Sequence, residues 1–281
     1  MNWPAKRIWR WIVTSAALAA LVGIGVWFVA PKPTDQVALP EVREAQLDTL
    51  AGTAVLFGHQ SVGMNVLDGI AALYRDAGRE PPAIIDVGAD PDAVPATPAI
   101  EHAFVGVNGD PSSKFAAFRE LVESAAGAGA DVAFVKLCYL DVTAGTDTEA
   151  VFAEYHALMT ELEAEHPDIT FLYTTVPLTT DRSWRANLKA LVGIDDQMGP
   201  ADNRARERYN ALVRAEYGGS RLFDVAAVQA TLATAPEVRD QRGEKYHVMN
   251  AALSADAGHL NEAGGRIAAV ELVRIIAGLD G

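Results

Sequence analysis

The chain has 281 residues, 50% apolar and 21% charged, enough for one large packed domain or two small ones. Its charge is lopsided: residues 1–34 carry Lys6, Arg7, Arg10 and Lys32 and no acid, while the remainder holds 19 basic and 37 acidic residues, a formal charge of −18. Such a surface repels nucleic acid, whose binding rests on neutralising phosphates, and the single cysteine, Cys138, rules out an internal disulfide and a thiolate zinc cluster.

The first element is a charge-free run. Trp11–Ala30 spans 20 residues, the length that crosses a bilayer's hydrocarbon core. Lys6, Arg7 and Arg10 precede it, which places the N-terminus on the cytoplasmic side. Trp3, Trp9, Trp11 and Trp27 lie at its two ends, where interfacial rings are favoured. Residues 1–30 are therefore expected to form a cytoplasmic N-terminus and an uncleaved signal-anchor helix. The rest of the protein would then be a single-pass, extracytoplasmic domain at the cell membrane. A cleaved signal peptide is disfavoured because Pro31 would follow the cleavage point. Residues 31–42, with three prolines, read as a short stiff linker.

Residues 43–281 alternate short apolar runs with helix-period stretches. That pattern predicts a parallel sheet with helices on both faces. A helix is expected over 40–51, then strands at Ala54–Phe57 and Ala83–Val87 with a helix over 64–76 between them. A further extended segment is expected at His102–Val107. Phe115, Phe118, Val122 and Ala125 recur at helical spacing, as do Val151, Tyr155, Leu158 and Leu162. Strands are expected at Val132–Leu137, Thr170–Thr175 and Arg221–Phe223, a helix over 203–216, and a last helix carrying Ala269, Leu272, Val273 and Ile276. Stretches 178–200 and 231–255 lack periodicity and are expected to be loops walling a substrate pocket, with Trp184 and Met198 as candidate apolar lining.

Two segments carry chemistry. In Val55-Leu56-Phe57-Gly58-His59-Gln60-Ser61-Val62-Gly63, a strand runs through polar residues into a helix, which lifts Ser61 above the sheet edge. Its backbone N–H, near a helix N-terminus, can face an oxyanion. In Asp256-Ala257-Gly258-His259-Leu260-Asn261, an acid three residues before a histidine can orient the imidazole and stabilise its charged form. Taken singly, each segment also reads as helix capping by Ser61, Asp256 or Asn261.

Taken together, the order Ser…Asp-x-x-His resembles the SGNH/GDSL hydrolase family from about Val55 to the C-terminus. The resemblance implies a flavodoxin-like three-layer α/β/α fold with a central parallel sheet. It implies Ser61 as nucleophile, His259 as general base and then acid, and Asp256 as its orienter. Asn108-Gly109-Asp110-Pro111-Ser112 resembles the family's second block, which would put the Gly109 N–H in the oxyanion hole with that of Ser61. The sequence departs from the family twice. Ser61 follows His59-Gln60 where the family has Gly-Asp. Cys138-Tyr139-Leu140-Asp141 stands where it has Gly-x-Asn-Asp, and Leu140 has no side-chain donor. Asn108, His59, Gln60 and Tyr139 are the candidate replacements, with Asn108 favoured because it adjoins Gly109. His59, Gln60, Tyr139, Asp141 and His247 are candidate pocket residues. Lys136, inside an apolar strand, is read as a structural partner of Asp141. No metal and no organic cofactor is expected.

The function implied by the resemblance is hydrolysis of a carboxylic ester through an acyl-enzyme. The substrate class would be an acylated glycan, such as an O-acetyl polysaccharide, or another small ester. A sugar hydroxyl in place of water would make the same site an O-acyltransferase. The alternative class, motivated by Leu140, is a catalytically weak or inactive module of the same fold that binds cell-surface glycan or a partner protein.

Overall fold

The computed structural model describes residues 37–88, 98–182, 188, 190, 192, 196–232, 235–236, 238–241 and 243–279. The expected membrane span at 11–30 and the candidate pocket residue Trp184 lie outside the described residues. Among the described residues, no helix is long and apolar enough to cross a membrane.

The described part opens with α1 (Glu44–Ala51), β1 (Val55–His59) and α2 (Ser61–Asp76), followed by β2 (Ile84–Asp86) and β3 (Ile100–Phe104). Next come α3 (Pro111–Val122), the short α4 (Ala125–Ala128), β4 (Val132–Val135) and α5 (Thr148–Glu165). Strands β5 (Thr170–Phe171) and β6 (Tyr173–Thr174) precede α6 (Pro200–Tyr217), β7 (Leu222–Phe223) and α7 (Val225–Ala230). Two short antiparallel pairs follow, β8 (Thr231–Leu232) with β9 (Ala235–Pro236) and β10 (Val238–Gln241) with β11 (Glu244–His247). A 3₁₀ turn (Ala251–Leu253) and α8 (Glu262–Ala277) complete it.

The central sheet has five parallel strands in the order β2-β3-β1-β4-β5. β6 is separated from β5 by one residue, Leu172, and pairs in parallel with β7. The expected strand at 170–175 is therefore two pieces that serve two neighbours.

β1 lies in mid-sheet and is buried along its whole length, as a strand covered on both faces must be. Its alternation assigns the layers. Val55 and Phe57 pack with α1, α2, α7 and α8, while Leu56 packs with α3, α5 and α6. Val132 and Phe134 of β4 join the first cluster, and Ala133 and Val135 the second. Phe57 and Phe134 stack with centroids 4.3 Å apart, which ties the two central strands on that face. This is the expected three-layer α/β/α arrangement.

Local signals set the helix starts. Asp110, Asp147, Asp224 and Asn261 each cap a helix by accepting a backbone N–H. Pro111 and Pro200 occupy the first turns of α3 and α6. The hairpin β10–β11 fell within a stretch read as loop. Its sequences, Val-Arg-Asp-Gln and Glu-Lys-Tyr-His, offer no apolar alternation to read.

Candidate active site

Ser61 is the first residue of α2, so its N–H is one of the helix's unmatched N-terminal donors. The turn that carries it is pinned on two sides. The Gln60 side chain, instead of capping the helix, donates to the carbonyls of Val105 (2.7 Å) and Gly106 (3.3 Å), fastening the turn to the loop after β3. The Gln60 carbonyl accepts from Gly63 N–H (2.7 Å) and meets the ring of His59 at Nδ1 (2.8 Å).

The second segment is held as tightly. Asn261 caps α8 and also donates to the Ala252 carbonyl, and Ala255 N–H donates to the His259 carbonyl. Thr180 N–H donates to the Ala257 carbonyl, and Leu260 N–H to Asn65 Oδ1 on α2. The last of these bonds ties the histidine loop to the helix of Ser61.

The two segments meet. His259 Nε2 stands 2.9 Å from Ser61 Oγ, across 198 positions of sequence. His259 Nδ1 is 2.8 and 2.9 Å from the two carboxylate oxygens of Asp256. An ionised carboxylate only accepts, so Nδ1 carries the proton and Nε2 is left to accept from the serine hydroxyl. Partial burial of Asp256 pulls its pKa up, but hydrogen bonds from Gly258 N–H and from the ring and N–H of His259 outweigh it. The result lies below the usual aspartate value, and the acid stays charged. Ser61 and His259 are half-buried and Asp256 is exposed. Tyr139 closes one side, its ring edge-on to His259 at 6.0 Å. A Cβ at Gly258 would fall 2.5 Å from the Tyr139 ring, so only glycine fits there.

The candidate oxyanion donors separate. Gly109, at φ +89, a backbone setting that favours glycine, donates its N–H to Asp141 Oδ1 at 2.8 Å, so that donor is already engaged. Asn108 Oδ1 meets Lys114 Nζ at 2.8 Å. An ammonium only donates, so the carbonyl end of the amide faces Lys114 and the NH₂ end has no partner among the described residues, on an exposed residue. Lys114 also bonds Asp141 Oδ2 at 2.6 Å, both side chains being fully buried, and Cys138 N–H donates to the same oxygen at 2.5 Å. The ammonium thus sets the amide, and the carboxylate sets the ammonium.

Several expected pocket residues stand elsewhere. Asp141 is 2% exposed and saturated by Lys114, Gly109 and Cys138; it is part of the scaffold. Its partner is Lys114, not Lys136. Lys136 is buried, donates to the Leu137 carbonyl at 3.1 Å, and burial lowers its pKa to about 8. His59 is fully buried, its Nε2 3.0 Å from His102 Nδ1. Burial, the largest influence, lowers the pKa of His59 to about 3, so the ring is neutral. Its Nδ1–H then donates to the Gln60 carbonyl, and its Nε2 accepts from His102. His59 is a strut beneath the serine turn, not a pocket wall. Gln60 is likewise engaged with the β3 loop. His247 lies on β11 with Nδ1 3.1 Å from Glu207 of α6. Met198 packs against the first core cluster. Among the described residues no group of His, Cys, Asp and Glu could hold a metal ion.

Lys114 was not singled out from sequence, and His102 was weighed only as a metal ligand and found to lack the spacing for one. Lys114 sits four residues before Phe118, on that helix's apolar stripe. A lysine there is the available sign of a buried charge needing a partner.

No family model and no curated protein matches the sequence. Solved structures to which the chain is similar include a protein assigned as a platelet activating factor from Streptococcus pneumonia (12% identity, TM-score 0.45, 82% of this chain and 89% of that one). They also include a protein assigned to the G-D-S-L lipolytic family from Desulfitobacterium hafniense (10%, TM-score 0.44, 79% and 99%). A third is the periplasmic domain of a lipopolysaccharide acetyltransferase from Salmonella ser. Paratyphi A (10%, TM-score 0.42, 82% and 87%).

Proposed function

We propose that this chain is a serine esterase, a divergent member of the SGNH/GDSL type. The observation that carries the reading is the contact of Ser61 Oγ with His259 Nε2 at 2.9 Å, with Nδ1 of the same ring held by Asp256. A hydroxyl, an imidazole in the accepting tautomer and an ionised carboxylate in that order form the relay that acyl transfer needs.

Ser61 Oγ attacks the ester carbonyl as its proton passes to His259 Nε2. The imidazolium so formed is stabilised by Asp256. The tetrahedral oxyanion is met by the N–H of Ser61 and the NH₂ of Asn108, which takes the place of the donor that Leu140 cannot supply. His259 returns the proton to the leaving alcohol. Water, deprotonated by the same nitrogen, then releases the acid from the acyl-enzyme. No step requires a metal or an organic cofactor. The substrate class we favour is an O-acylated glycan or another small ester. We place the protein at the cell membrane with residues 11–30 as its anchor and the hydrolase domain outside the cytoplasm, on the strength of the charge-free run and the basic residues before it.

A fluorophosphonate probe tests the core of this. The full chain is expected to be labelled at Ser61 and to hydrolyse 4-nitrophenyl acetate, and Ser61→Ala to do neither. Equal turnover by the two proteins, or labelling at another residue, would remove the serine from the chemistry.

A further inference from the structure

We propose that the groove between α2 and α8 binds the alcohol portion of the ester, and that this portion is an uncharged, hydroxyl-rich chain such as a saccharide. This rests on the esterase reading above and extends it to the substrate.

The groove encloses a cavity of about 330 Å³, within the range of small-molecule sites (about 300–1,000 Å³). One wall is a stripe of α2: Asn65, Asp68, Gly69, Ala72 and Arg75. Counted from Ser61 these are the fourth, seventh, eighth, eleventh and fourteenth residues on, the positions that share one helical face with the nucleophile. The opposite wall starts at Leu260, the residue after His259, and continues through Glu262 and Arg266. The groove thus begins one helical turn from the serine and one residue from the histidine, and runs about 15 Å along α2. Its floor follows from two glycines. A Cβ on Gly69 would run into the Gly265 carbonyl, and one on Gly265 would come 2.5 Å from the Asn65 carbonyl, so the helices touch backbone to backbone.

The chemistry of the lining selects the occupant. Asp68 and Glu262 offset Arg75 and Arg266, so the cavity has no net charge and favours neither an anionic nor a cationic ligand. Of the lining residues only Leu260, Ala72 and Gly69 are apolar, so the wall is mixed and does not form the continuous apolar slot that an acyl chain fits. Unengaged polar groups of both kinds line it. Asn65 uses Oδ1 to accept from Leu260 N–H, which leaves its NH₂. Arg266 is held by Asp76 and Glu262 through its terminal nitrogens. The carboxylate of Asp68 and the guanidinium of Arg75 form no ion pair among the described residues. A wall that offers acceptors and donors side by side is matched by groups that both donate and accept, and hydroxyls do so.

The double substitution Asp68→Ala with Arg75→Ala, on two exposed positions of α2, tests the assignment. The full-length variant is expected to lower kcat/KM for mono-O-acetylated cellotetraose, whose other hydroxyls are free, at least tenfold relative to 4-nitrophenyl acetate, through KM. An unchanged ratio between the two substrates would overturn the groove and leave the esterase reading standing. Saturation-transfer NMR on full-length Ser61→Ala with cellotetraose and chitotetraose supplies an arm independent of turnover. A transfer signal lost in the added Asp68→Ala, Arg75→Ala background is expected. No signal from either saccharide, or one indifferent to those substitutions, would overturn the proposal. Absence of turnover by the wild type together with a groove-dependent signal would sink the esterase alone.

Discussion

Among the described residues Asn108 bonds through Oδ1 to Lys114, and the residue is exposed. Removing its amide should therefore act more on chemistry than on folding. Asn108→Ala is expected to lower kcat by about 10²–10³, the usual effect of one lost oxyanion donor. The unfolding free energy should fall by no more than about 1.5–3 kcal/mol, because the buried Lys114 ammonium loses one acceptor and keeps Asp141. Lys114→Met should do the reverse in order of severity, since it leaves Asp141 buried and unpaired at a cost of about 3–5 kcal/mol before any rate is read. Steady-state kinetics beside urea midpoints for both variants would decide it; full activity in Asn108→Ala would return the donor role to another group. At this scale legibility followed distance in sequence. Asp256 and His259 lie three apart, and their bond could be read from spacing. Asp141 and Lys114 lie 27 apart on different elements, so nothing local announced that Asp141 was already saturated.

The joint between β1 and α2 shows how an element boundary can be built from its own side chains. β1 ends in His59, whose ring folds back under the first turn of α2, and Gly63 is the residue that lets it do so. A Cβ on Gly63 would fall inside contact distance of two atoms of that ring, Cγ and Nδ1, and of the His59 Cβ. Gly63→Ala should therefore push either the ring or the turn. The expected cost is about 1–3 kcal/mol, as for other overpacked sites, accompanied by a fall in kcat because Ser61 moves with the turn. Urea denaturation and turnover of 4-nitrophenyl acetate measure the two effects; a variant unchanged in both would show that His59 does not brace the serine. The helix was expected to begin at Met64 from its apolar period, but it starts at Ser61. The first turn of a helix carries too few apolar residues for periodicity to mark it, and neither Gln60 nor Ser61 caps it through a side chain. β1 and β4 were legible because they are apolar almost throughout; β3, with Glu101 and His102 inside it, begins two residues before the expected segment at 102–107, and the polar hairpin β10–β11 offered no apolar signal.

Over the whole molecule, two hydrophobic layers enclose one sheet, and the polar groups at its carboxyl edge are tied to one another across elements. That architecture follows from the alternation of apolar runs and helical stripes, and it brings the ends of β1 and β3 and the loop before α8 together without any long-range signal in sequence. Enclosing the edge also buries His59 and His102, and this couples folding to pH. Burial lowers both pKa values, that of His59 to about 3 against about 6.5 in an unfolded chain. Between those two values the unfolded chain binds the proton that the folded one refuses. Stability must therefore rise with pH across the window and level off above it. Read downward, the protein should lose stability from about pH 6.5, with His59 alone contributing a slope of up to about 1.4 kcal/mol per pH unit toward pH 3. Asp256 and Asp224 have lowered values too, and add to the loss only as pH approaches the ordinary aspartate range. His59→Leu keeps an apolar side chain at the site and removes the titrating ring. Urea unfolding at pH 4.5, 5.5, 6.5 and 7.5 should show a steep slope for the parent below pH 6.5 and a shallower one for the variant. Parallel slopes would mean that the ring beneath Ser61 takes up its proton in the folded state as readily as in water, and that the space around it is not closed.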